Sequence, residues 1–66
     1  MLVQSVVFPK ERFTQREAIK WLYDHDYKYE KIDITPNTYR FRQHNPIRDS
    51  YYSKTLPNGV ILIIHS

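Results

Sequence analysis

The sequence predicts an α+β fold: one helix packed on a mostly antiparallel sheet of four to five strands, in the order β-α-β-β-β-β. Three observations carry that reading. A Val-rich run from Leu2 to Phe8 closes at Pro9, as a strand does. Thr14-Gln15-Arg16-Glu17 then forms a capping box ahead of apolar residues at helical spacing. From Tyr27 onward the helical period is lost, and Pro, Asn and Gly punctuate short β-prone runs. Residues 1–66 are too few for a second domain and read as one.

The first strand has apolar residues at both parities, so its register is ambiguous and both its faces are candidates for cover. In the helix, Thr14 should accept from the Glu17 N–H while the Glu17 carboxylate returns to the Thr14 N–H, and Phe13 is placed to staple onto Ala18. Ala18, Trp21, Leu22 and His25 follow i, i+3, i+4, i+7, while Arg16, Lys20 and Asp24 fall on a wet face. The helix should end around Asp24 to Asp26. Next, Ile32 and Ile34 share one face of a short strand, and Tyr39, Phe41 and Gln43 share a face of its partner. A four-residue loop, Thr35-Pro36-Asn37-Thr38, pairs Ile34 with Tyr39 and Ile32 with Phe41. The same register sets Asp33 opposite Arg40 and Lys31 opposite Arg42. Arg40 is thus partly neutralised, whereas Arg42 faces a like charge and is the better candidate for an external anion. His44 to Ser50 reads as a surface loop. Tyr51 to Leu56 alternates, and Leu56-Pro57-Asn58-Gly59 fits a type I turn into a last strand, Val60 to His65, apolar on both faces. The core anchors expected are Trp21, Leu22, Ile32, Ile34, Tyr39, Phe41 and Leu62.

The net charge of +3 is unevenly placed. Cations and anions cancel over residues 1–33, and the whole excess lies in Arg40, Arg42, Arg48 and Lys54 against Asp49. Arginine's planar fork suits phosphate or carboxylate recognition, although a solvated basic face has the same composition. With no cysteine, disulfides and thiolate zinc sites are excluded, and the fold must rest on an apolar core that is thin at this length.

The usual catalytic and cofactor patterns are missing. Asp24-His25-Asp26 is too contiguous to converge on one metal, and His25 near a helix C-terminus is explained by the dipole. One glycine cannot build a phosphate-cradling loop, and no Gly-x-Ser-x-Gly elbow is present. The reading is therefore a non-enzymatic chain with no cofactor and no metal. The apolar runs are too short for a signal peptide or a membrane span, so neither secretion nor a membrane partner is expected. What remains is a basic, tyrosine-rich surface of Arg40, Arg42, His44, Arg48, Tyr51, Tyr52 and Lys54. Its Arg/Tyr content fits a protein partner or a second copy of the chain. The alternative is nucleic acid, with Arg40, Arg42, Arg48 and Lys54 on phosphates and Tyr51 or Tyr52 stacking.

The chain also resembles a family of short domains found in large double-stranded DNA viruses and tailed phages. The resemblance runs through Phe8-Pro9-Lys10, Thr14 with Glu17-Ala18, Trp21-Leu22, His25, Tyr27-Lys28, Tyr39-Arg40-Phe41-Arg42-Gln43, Pro46 and Leu56 to Gly59. The Asn-Gly turn stands where the family has a shorter one. The resemblance implies viral origin, a place in the virion or the infected cell, and a non-enzymatic structural or assembly role. It names no partner.

Overall fold

A computed structural model describes residues 2–45 and 51–65. The elements are β1 (Leu2–Pro9), α1 (Gln15–Asp24), β2 (Ile32–Ile34), β3 (Thr38–Arg42), β4 (Tyr51–Thr55) and β5 (Ile61–His65). The five strands form one antiparallel sheet in the order β2-β3-β1-β5-β4, so the expected α+β architecture and element order are those of the molecule.

The helix starts as its capping box dictates. The Glu17 N–H donates to Thr14 Oγ1 at 3.1 Å, and the Thr14 N–H donates to Glu17 Oε1 at 2.8 Å. Phe13 packs on the core with its ring edge-on to Phe8 at 5.2 Å. The helix ends with His25 as C-cap, followed by Asp26 at φ 59°. The Tyr27 N–H reaches back to the Leu22 carbonyl at 2.8 Å and the Asp26 N–H to the Tyr23 carbonyl at 3.3 Å. This is a Schellman motif with aspartate at the left-handed position where glycine is usual. That aspartate also sets a negative charge against the negative end of the helix dipole. Asp26→Gly is therefore expected to stabilise the fold by about 0.5–1 kcal/mol. A thermal melt followed by circular dichroism checks it, and an unchanged or lowered midpoint would show that the backbone strain is not felt.

The core lies between the helix and the middle of the sheet. Val6 and Phe8 from β1, Phe41 from β3, Val60 before β5, and Ala18 and Leu22 from the helix are all fully buried. Phe8 is its hub, meeting Phe13, Trp21 and Phe41 edge-to-face at 5.2, 5.7 and 5.6 Å. The register ambiguity of β1 resolves into a bulge. Val3 pairs with Ile64 and Ser5 with Ile63, so Gln4 is the extra residue that shifts parity between them. Val3 and Val6 consequently both face the helix. Gln4 is buried: its side-chain amide donates to the His44 carbonyl, its side-chain oxygen accepts from the Ser5 hydroxyl at 2.7 Å, and its backbone carbonyl accepts from the Gln43 N–H.

The β2–β3 register is the expected one, with Ile32, Asp33 and Ile34 opposite Phe41, Arg40 and Tyr39. Of the expected anchors, Leu22 and Phe41 are fully buried, whereas Trp21, Ile32, Tyr39 and Leu62 are half-buried against the core. Ile34 is not an anchor, because 58% of it is exposed. It lies on a three-residue edge strand, and the ten-residue helix sits over the middle strands. His25, expected on the buried stripe, is also exposed. Its ring stacks on Trp21 at 3.9 Å and its Nδ1–H donates to the Trp21 carbonyl at 2.8 Å.

Candidate functional site

The sheet register decides which candidate side chains share a surface. Alternation sends Val6, Phe8, Tyr39, Phe41 and Leu62 toward the helix and their neighbours in sequence to the opposite face. Among the described residues no helix covers that second face. One row across it reads Asp33, Arg40, Val7, Ile61, Thr55. The next reads Arg42, Ser5, Ile63, Ser53, and beyond the bulge comes Leu2, His65, Tyr51. The face thus has a basic margin on β3, the buried Ser5 and Val7 on β1, the half-buried Ile61 and Ile63 on β5, and a hydroxyl-rich margin on β4. Tyr51 tilts against the His65 ring at 5.6 Å, and Leu2 beside them is 48% exposed.

Among the described residues, the arginines on this face make no ion pair. The ion pair among the described residues is Lys20–Asp24 on the outer side of the helix, and Arg40 and Arg42 have none. Asp33 is Arg40's register partner, but the two form no ion pair, so the expected neutralisation is not a direct contact.

The residues singled out from the sequence do not form one patch. Arg40 and Arg42 share the face opposite the helix with Tyr51, but β1 and β5 lie between them, a separation of roughly 14 Å at ordinary strand spacing. Tyr52 and Lys54 alternate to the helix side of β4, so they cannot act with the arginines on one flat ligand. His44 is past the end of β3 and does not extend the arginine row. Its carbonyl is held by Gln4, and its Nδ1–H donates to the Asn45 carbonyl at 2.8 Å. Arg48 lies outside the described residues.

One surface was not singled out by sequence reasoning. Rings at positions 21, 23, 25, 27 and 29 cluster around the end of the helix. Trp21 stacks with His25 at 3.9 Å and lies parallel to Tyr27 at 5.8 Å. Tyr23 is 70% exposed, and with Tyr27 and Tyr29 it borders a shallow depression. Every second residue from Trp21 to Tyr29 being a ring was the visible signal. It straddles a helix end, so neither a helical nor a strand period groups these residues.

Among the described residues, no three His, Asp or Glu side chains come together in a way that could hold a metal ion, and no helix is long and apolar enough to cross a membrane. Compared with known proteins, the chain matches no family model, no curated protein and no solved structure.

Proposed function

We propose that this chain is a small non-enzymatic binding module whose sheet face opposite the helix takes an acidic protein partner. The observation that supports this is the placement of two arginines, without ion pairs among the described residues, on the same sheet face as the half-buried Ile61 and Ile63. The isoleucines supply apolar surface, and guanidinium forks on the same face supply bidentate recognition of carboxylates. Charge complementarity selects the class of partner, since the net +3 arises wholly from residues 34–66. The viral resemblance suggests that this partner is a component of virion assembly.

Peptides selected from a random displayed library against the full chain test the reading. The selected sequences should be rich in Asp and Glu, and their affinity should fall at least about tenfold in Arg40→Glu, the equivalent of losing one charge-assisted hydrogen bond. Selection without acidic bias, or unchanged affinity in that variant, would overturn it. Light scattering at micromolar concentration separates a second copy of the chain from a foreign partner on this face.

The nucleic-acid reading has less support. Lys54 projects from the opposite side of a strand three positions from β3, so it does not continue a phosphate track begun by Arg40 and Arg42. Oligonucleotide binding that weakens steeply with salt and with Arg42→Ala would restore it over the protein-binding reading.

A further inference from the structure

We propose that a cleft at the end of β3 is an anion site for a small phosphomonoester. Two observations meet there, and neither depends on the protein-binding reading above.

The first is the register. Beyond the last paired residues of β2, the Arg42 N–H donates to the Lys31 carbonyl at 3.0 Å, which places two cationic residues opposite one another at a sheet edge. Like charges in that relation destabilise a ladder, and neither residue has an ion pair among the described residues. An external anion between them would remove the penalty.

The second is the space. Lys31 and Arg42 border a cavity of about 280 Å³ that Lys28, Glu30 and His44 also line. Three fixed cations against one carboxylate leave the cleft at 3 − 1 = +2 with His44 neutral. Its volume is just below the roughly 300–1,000 Å³ of drug-sized sites, which suits a phosphate carrying one sugar-sized group. The Glu30 carboxylate can accept from a hydroxyl on that group and repels additional negative charge, which favours a monoester over a polyphosphate.

The frame around the cleft is fixed. The Gln43 side chain receives the Lys28 N–H and donates to the Lys28 carbonyl, both at 2.8 Å, while its own N–H donates to the Gln4 carbonyl at 2.8 Å. This side chain takes the place of a missing strand residue and pins the Lys28 backbone beside the end of β3.

The test is a titration of the ¹⁵N-labelled full chain, at low salt, with inorganic phosphate, with a nucleoside 5′-monophosphate and with the same nucleoside lacking phosphate. Saturable shifts are expected in the Lys28, Lys31 and Gln43 amides for both phosphate ligands. Affinity should fall at least about tenfold in Arg42→Gln and in Lys31→Gln, and stay unchanged in Arg40→Gln. The Arg40→Gln arm separates this site from the sheet-face proposal. Equal affinity for the two phosphate ligands would mean that phosphate alone is read; tighter binding of the monophosphate would mean that the sugar joins. Either supports the proposal. No saturation at millimolar phosphate, binding of the bare nucleoside as tight as its monophosphate, or undiminished affinity in a folded Lys31→Gln variant would overturn it.

Discussion

Replacing Phe8 by alanine is expected to leave the chain largely unfolded in water at room temperature. Phe8 is fully buried and touches three other rings edge-on, so its removal takes away both its buried area and three favourable aromatic contacts. Phe→Ala in a core costs about 3–5 kcal/mol. A core of this size supplies about 3–5 kcal/mol of net stability in total, so the loss matches all of it. Relaxation offers little relief, because β1 is the middle strand of the sheet and cannot shift without breaking ladders on both sides. Circular dichroism with a urea titration reads the result. Phe8→Leu, which keeps most of the volume, should remain folded with a lower midpoint. A cooperative Phe8→Ala transition near the wild-type midpoint would mean that the ring cluster does not carry the core.

Gly59→Ala is expected to cost about 1–3 kcal/mol, for two separable reasons. Gly59 sits at φ 97°, where a side chain strains the backbone, and a Cβ built there would lie 2.6 Å from Arg12 Cδ. The steric part is the weaker, since Arg12 is an exposed, flexible side chain that can swing away. A double-mutant cycle with Arg12→Ala separates the two. Most of the loss should persist in the Arg12→Ala background, as the dihedral is unchanged there. If the loss vanishes, the close approach was the dominant cause.

Features governed by neighbours in sequence were legible without coordinates. The capping box, the β2–β3 register and the Pro57-Asn58-Gly59 turn each depend on a few consecutive residues with distinct chemistry. What escaped depends on distance along the chain. The exposure of Ile34 follows from where the helix lies, which its own strand does not encode. The Gln4 bulge is specified by Gln43 and His44, some forty residues away, so β1 alone reads as two overlapping registers. Asp26 in the left-handed region violates the local preference for glycine, and only its dihedral and the backbone hydrogen bonds from Asp26 and Tyr27 back to Tyr23 and Leu22 reveal it. The candidate surface was half legible. Alternation put Arg40 and Arg42 together and on the side away from Tyr39 and Phe41, but it could not show that β1 and β5 intervene before Tyr51. The opposition of Lys31 and Arg42 was visible, whereas the cleft it borders required Lys28 and His44 to be placed in space.

The strand order has a kinetic consequence. β1 and β5, nearly the whole chain apart in sequence, lie side by side, with Leu2 paired to His65. On a ribosome, β1 must therefore wait with one of its two ladders unmade until β5 emerges. The helix and the β2–β3 hairpin can form earlier, because their contacts are local, but the buried face they share with β1 is incomplete without Val60. Late closure of long loops makes folding slow relative to a helical protein of this length, and keeps the Val-rich first strand available to other chains meanwhile. During that interval, a neighbouring copy or an acidic partner would compete with the chain's own last strand for the edge of β1.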